Sequence, residues 1–542
     1  MKYFIFNNAS RAAHYGIGTY MRQLLVILSA NKQYQLHVVE LNADNKEFTV
    51  QQDSDGITRY SIPSLESNIE TEAYCRIVGC LLSPYIVAEE MAIFHFNYFM
   101  HYPLALWAKA RNIHNRIILS VHYLDWCFKL NGNVNRFHEI LYSGQAENTD
   151  SPILADYQYS KRFFHLCDAV VTLSDFCRQL LAEDYSIDPE KLHLIRNGLS
   201  DKCQQEELEQ RKSGATETSP VILFVGRLDE IKGIRPLIKA FKKVLKNHPN
   251  AHLFLVGNGN YEEYFPECKG FWECVSFTGK IGQEELLDIY RKATLAILPS
   301  FHEQCSYSAI EYMMHGLPFV GTNSTGLSEM LNKVPEMRVD IRETDFNEET
   351  FSDELADRIS LLLSKPSLLS RISGIMRKEY KKHYTLELMQ QQMFEIICRV
   401  ISDSSSPLSL EYLYDLDYHM IKLIHNQPDI DTDFYGMTGI GLYLWWRVHF
   451  LDKDKDEYHI YKIKEYLIYY IDWLHNHFVE DGITICAHEL YGLLRAMQLE
   501  KFYPFRVNLL ISMLHCPPAP ISEDISSISI IANALRIANT KI

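Results

Sequence analysis

Residues 221–233 read VILFVGRLDEIKG. Five apolar residues in a row suit a strand buried on both faces, and the glycine after them permits a tight turn. The chain continues as IRPLIKAFKKVLKNH over 234–248, with apolar residues at helical spacing. A buried strand that turns directly into an amphipathic helix is the repeating unit of a parallel, helix-covered sheet. The unit recurs downstream. HLFLVG, VSFTG, LAILPS and LPFVGT read as strands, and EELLDIYRKA and SAIEYMMHG as helices.

The same alternation fills the first 200 residues. KYFIF, QLHVVEL, MAIFHFNYF, RIILSVHYL and AVVTLS read as strands, with RQLLVILSA and FCRQLLAEDY as helices. Between the two runs, residues 202–219 (KCQQEELEQRKSGATETS) show no apolar periodicity and read as a linker. After residue 385 the pattern is helical throughout, interrupted by DSSSP at 403–407. The fold class is therefore α/β: two doubly wound, Rossmann-like units in tandem, followed by an all-helical unit. The expected boundaries are 1–201, a linker at 202–219, 220–385, a helix at 386–402 and a helical domain at 408–542. Its 542 residues suit about three domains.

Bulk chemistry removes several function classes. The net charge of -16 argues against a nucleic-acid partner, because phosphate backbones need a basic surface. The 12 cysteines are scattered, with no C-x-x-C and no zinc-finger spacing. The opening MKYFIFNNAS turns polar too soon for a secretory segment, and no apolar run reaches about 18 residues. No transmembrane segment and a reducing cytoplasm are the expectations.

Ligands of open parallel sheets bind beyond the carboxyl ends of the strands. Three loops in such places carry chemistry. In Gly226-Arg227-Leu228-Asp229-Glu230-Ile231-Lys232-Gly233 two cations can meet a diphosphate, and the helix that follows adds backbone dipoles of the right sign. The plainer alternative is a pair of solvated cations after a turn. In the loop from Glu303 to Glu311, Glu303 stands free of the helix, whereas Glu311 lies on it among apolar neighbours. A carboxylate there needs a partner, which a ribose diol or a nearby lysine could supply. Gly16 and Gly18, at the start of the first helix, allow close backbone approach or simply a turn.

Taken in order, these features resemble the retaining family 4 glycosyltransferases of the GT-B fold. The resemblance covers about residues 1–400. It rests on the G-I-G loop, LSVHY, DAVVTLSDFCRQLL, KLHLIRNGLSD, FVGRLDEIKG, LFLVGNGN, VSFTGKIGQEELLDIYRKATLAILPS and the E-x7-E from Glu303 to Glu311. It implies a nucleoside-diphosphate sugar, UDP- or GDP-linked, as substrate, with no cofactor and no catalytic metal. Arg227 and Lys232 then match the donor diphosphate ligands. Glu311 matches the ribose carboxylate, and Glu303 the acid facing the sugar hydroxyls. The N–H groups of Cys305 and Ser306 would face sugar and phosphate, with Gly16 and Gly18 near the phosphates. His122 matches the histidine beside the reacting centre, and Lys280 and Ile281 fall where backbone meets the nucleobase.

The sequence departs from that family at several points. Ser306 stands where glycine is usual, Tyr123 follows His122 where aspartate is common, and Thr325-Gly326 replaces a glycine pair, with Glu329 just beyond. No Asp-x-Asp is placed for a catalytic metal. In the tail, FYGMTGIGLY at 434–443 faintly resembles a repeat of lanthionine cyclase-like toroids, but the tail is too short for a full toroid and a glycine-permitted helix–helix turn is the plainer reading. Cys486, His488, His515 and Cys516 make a poor zinc set. The chain also resembles transferases of bacterial peptide-maturation clusters, which implies a peptide, or otherwise a glycan, as acceptor. A nucleotide-sugar epimerase and a non-catalytic binding module are the competing readings.

Overall fold

The computed structural model describes residues 1–402, apart from 10–15, 65–70, 87–89, 113, 143–149, 205–207, 210–218 and 342–345. The expected helical domain at 408–542 lies outside the described residues, as do FYGMTGIGLY and the four tail cysteines and histidines.

Two sheets form, as the alternation of apolar runs and helices implied. The first sheet contains β1 (Lys2–Asn8), β2 (Gln35–Ala43), β3 (Thr49–Gln52), β4 (Thr58–Pro63), β5 (Ile93–Phe96), β6 (Arg116–Val121), β7 (Ala169–Thr172) and β8 (Leu192–Leu194). Among the described residues its order is β3-β4-β2-β1-β5-β6-β7-β8. Only the β3–β4 pair at its edge is antiparallel. The second sheet contains β9 (Val221–Val225), β10 (His252–Val256), β11 (Val275–Gly279), β12 (Leu295–Leu298), β13 (Phe319–Thr322) and β14 (Arg338–Val339). Its order is β11-β10-β9-β12-β13-β14, all parallel.

Strands β5, β6, β7, β12 and β13 are buried at every position. Helices on both faces explain their near-continuous apolar sequence. In each sheet the strand order reverses beside the first strand, at β1/β5 and at β9/β12. Such a switch point opens a crevice beyond the strand ends, so each sheet presents one crevice.

Two chain segments cross between the sheets and are bonded to each other. The Leu199 N–H donates to Tyr384 O and the Leu386 N–H to Leu199 O, both at 3.0 Å. Gly198 is forced here, because a Cβ would lie 2.4 Å from Thr385 O. The helix Leu386–Ser402 then packs against the helix Gly16–Ser29 of the first unit, with Phe394 stacked 6.3 Å from Tyr34.

Side chains also bridge the two units. The Ser174 hydroxyl donates to Gln304 Oε1 at 2.6 Å, and Asn197 Nδ2 to Cys305 O at 2.7 Å. Glu329, beyond β13, accepts the Asp175 and Phe176 N–H groups at 3.0 and 2.5 Å. It thereby caps the helix Asp175–Glu183 of the other unit, where a carboxylate also meets the helix dipole. Glu329→Ala is expected to cost about 1–2 kcal/mol in denaturant unfolding, a cap-sized loss, and to expand the molecule in small-angle scattering. An unchanged midpoint and radius would show that the cap does not hold the units together.

Candidate functional site

The second crevice is built from the loops after β9 and β12. The β9 loop is pinned by its neighbour: the Gly226 N–H donates to Val256 O and the Leu228 N–H to Asn258 O, both at 2.9 Å. Arg227 turns back to Asp229 at 3.1 Å. Gly233 takes φ +68°, and a Cβ on it would lie 2.2 Å from Pro299 O. That contact presses the β9 loop onto the β12 loop and carries Lys232 to Glu303, with Nζ and Oε1 2.5 Å apart. Only 18 % and 12 % of these two side chains are exposed, so the pair is shielded from water.

Glu303 is fixed on all sides. Its carboxylate also accepts from the Ser300 hydroxyl at 3.0 Å. Its carbonyl accepts from Thr325 Oγ1 at 2.6 Å and from the Gly326 N–H at 2.9 Å. A Cβ at Gly326 would lie 1.8 Å from Gln304 O. Gly326 therefore serves a close backbone approach, while Thr325 takes φ +33°, a left-handed conformation that favours glycine, so both positions bear on the glycine pair of the family.

Ser306 N-caps the helix Tyr307–Met314, its hydroxyl accepting from the Ala309 N–H at 3.4 Å. The side chain that departs from the family pattern is thus taken up by the helix. Burial lifts the Cys305 thiol to about 12, so it is a packed thiol rather than a nucleophile. Glu311 follows on the same helix and accepts the Tyr290 hydroxyl at 2.5 Å. Burial raises its pKa, with the tyrosine bond opposing. Its hydrogen-bond partner within the protein is thus a phenol rather than the lysine of the plainer reading. Beyond β11, the Lys280 N–H is held by Asn258 Oδ1 at 3.1 Å, and Ile281 is half-buried beside it.

The first crevice contributes His122, just beyond β6. Its Nε2 lies 3.0 Å from Asn97 Oδ1, and Tyr20 packs edge-on at 4.6 Å. Burial pushes the imidazole down to about 3, so it is neutral near pH 7. Gly16 is exposed and Gly18 buried in the first turn of the helix Gly16–Ser29, and the loop before them lies outside the described residues.

The crevices meet at Tyr307, a neighbour of Ser306. Its buried hydroxyl has no hydrogen-bond partner among the described residues, and its pKa is raised by burial and then by Tyr20 of the first unit. The structure thus joins Arg227, Lys232, Glu303, Cys305, Ser306 and Glu311 on adjoining loops and one helix. His122 stands on the other unit beside Tyr20. Ser300, Tyr290, Asn97, Asn197 and Gln304 also shape the site, and sequence reasoning passed over them. Asn197 and Ser300 each stood at the end of a strand-like run, a position that marks candidate residues. Tyr290, on a helix, carried no such signal.

A model of glycosyl transferases group 1 matches residues 219–365, and a model of glycosyltransferase family 4 matches residues 15–202. An uncharacterized glycosyltransferase of Methanocaldococcus jannaschii is 30 % identical over 203 residues, 36 % of this chain and 51 % of that protein. A mannosylfructose-phosphate synthase of Agrobacterium fabrum is 30 % identical over 216 residues, 34 % of this chain and 47 % of that protein. The chain spans about half the length of these curated relatives. A sucrose-phosphate synthase structure from Thermosynechococcus elongatus superposes with a TM-score of 0.58 at 19 % identity, over 74 % of this chain and 99 % of that one. An Anabaena protein solved with UDP and glucose gives 0.53 at 14 % identity, over 73 % and 99 %. The two models together match more than half the chain: it belongs to the family 4 glycosyltransferases and has the GT-B fold.

Proposed function

We propose that the protein transfers a sugar from a UDP- or GDP-linked donor to a peptide or glycan acceptor in the cytoplasm, with retention of anomeric configuration and without a metal or other cofactor. The observation that carries the donor site is the Lys232–Glu303 pair across the β9/β12 switch point. A cation and an acid on adjoining loops suit the two halves of a sugar nucleotide. On binding, Lys232 exchanges Glu303 for a phosphate oxygen, and Glu303 is released to accept sugar hydroxyls. As the bond from C1 to phosphate breaks, charge grows on the leaving diphosphate, where Arg227, Lys232 and the N–H groups at Cys305 and Ser306 stabilise it. In a front-face displacement the acceptor oxygen bonds to C1 while its proton passes to the departing phosphate oxygen. Glu311 takes the ribose, and Lys280 and Ile281 lie near the base. Gly16 and Gly18 let the first unit approach the phosphates. Residues 408–542 are proposed to dock the acceptor.

Incubation with labelled sugar nucleotides tests this reading, with and without a chelator. Label moving to an acceptor, unaffected by the chelator, supports it. Recovery of an isomerised sugar nucleotide would indicate an epimerase, and binding without turnover a non-catalytic module.

Glu311 gives a sharper expectation. Its folded pKa is raised, so its contribution to stability is complete below the unfolded value near 4.5 and is lost as pH rises through the folded one. Above the unfolded value the buried carboxyl therefore counts against the stability of the empty protein. Glu311→Gln is expected to leave its melting temperature equal or higher while weakening nucleotide binding by about 1.5–3 kcal/mol, the worth of a charged hydrogen bond. Collapse of stability with normal binding would make Glu311 a structural residue.

A further inference from the structure

Strands β1, β5 and β6 lie side by side, so residues just past their ends share one edge. Asn97 follows β5 and His122 follows β6, and the two strands are in register through Phe96 and Leu119. Asn97 is 2 % exposed. Its amide nitrogen donates to Phe6 O of β1 at 3.1 Å and approaches Met21 Sδ at 3.3 Å. A carbonyl oxygen can only accept, so the NH₂ group must face β1. The amide oxygen is left facing His122 Nε2 at 3.0 Å. An amide oxygen has no proton to give, so the proton in that bond belongs to His122 Nε2.

The ring has little freedom to leave this arrangement. Tyr20 packs edge-on against it, and the Tyr20 hydroxyl is tied to Ser120 Oγ at 2.7 Å. Ser120 Oγ also meets His95 Nε2 at 2.7 Å, and His95 Nδ1 meets the Tyr3 hydroxyl at 2.9 Å. This buried chain spans β1, β5, β6 and the first helix. The ionisable groups facing His122 are the Tyr20 phenol on that helix and the His95 imidazole on β5. Burial lowers both histidines to about 3 and raises the phenol, so all three stay neutral near pH 7. Among the described residues no hydrogen bond reaches His122 Nδ1, and the residue is partly exposed.

We propose that Asn97 is a positioning residue that locks His122 as its Nε2–H tautomer, so that Nδ1 offers a lone pair to a hydroxyl of the sugar substrate. In that state the ring cannot donate to a phosphate from its open side. The group it meets is a hydroxyl donor, which separates sugar recognition by the first unit from phosphate recognition by the second. The identity of the group in the cleft rests on the transferase reading; the tautomer does not.

Nitrogen NMR of protein labelled at histidine, with His122→Gln to assign the signal, reads the tautomer directly. The expected result is a protonated Nε2 and a bare Nδ1 from about pH 5 to 8. Asn97→Leu frees the ring. Tautomer mixing is expected, with a roughly tenfold fall in kcat, the worth of one hydrogen bond, and an unchanged donor KM. Asn97→Asp keeps an acceptor but adds charge. It is expected to raise the His122 pKa toward neutrality and to give transfer an acid limb that the wild type lacks. A bare Nε2 in the wild type would overturn the proposal, as would an Asn97→Leu protein that is folded and unchanged in both tautomer and kcat. If no sugar nucleotide turns over at all, the transferase reading fails while the NMR result still decides the tautomer.

Discussion

Lys232→Ala is expected to weaken nucleoside diphosphate binding by one to two decades, about 1.5–3 kcal/mol for a charged hydrogen bond. The size follows from its surroundings. Lys232 is 18 % exposed, so its charge is little screened. Substitution also leaves Glu303 in a shielded site without its cation, a repulsive neighbour for an incoming diphosphate. Arg227 is 40 % exposed and shares Asp229, so Arg227→Ala is expected to cost less, about tenfold. Calorimetric titration checks both, and added salt should reduce the Arg227 effect more. Unchanged affinity in two folded variants would remove the donor assignment.

His122→Ala is expected to act on turnover instead. The ring belongs to the first unit, whereas Arg227 and Lys232 belong to the second, and it is neutral near pH 7. Its loss is expected to reduce kcat by about two decades, in the range for deleting one preorganised polar group at a reacting centre. Affinity for the free nucleoside diphosphate is expected to change by less than about threefold, because that ligand lacks the sugar. Steady-state kinetics beside direct titration separates the two effects. A variant with normal kcat would reduce His122 to packing.

Much of the second sheet was legible because its central strands are buried on both faces and read as unbroken apolar runs, VILFV and LAIL among them. The edge strands were not. TVQQ is mostly exposed and TRYSIP only half-buried, so neither has an apolar run to mark it. The helix Ser151–Leu166 has little amphipathic contrast, because aromatic and polar residues share its faces. At the site, Arg227, Lys232, Glu303 and Glu311 stood out because charge beside apolar runs demands a partner. The identity of each partner could not be read from the chain. Glu303 meets Lys232 across 71 residues and Glu329 meets Phe176 across 153, contacts set by sheet order rather than local pattern. Asn97 carries no charge and sits inside an aromatic run, HFNYF, so only its amide geometry shows its place.

The central claim is that one crevice, between the loops after β9 and β12, holds a nucleoside diphosphate. A crystal structure with the diphosphate that most raises the melting temperature tests it most directly. The account predicts phosphate oxygens at Lys232 and Arg227 and at the N–H groups of Cys305 and Ser306, the ribose at Glu311, and Glu303 released from Lys232. A diphosphate bound elsewhere, with the Lys232–Glu303 pair intact, would contradict it.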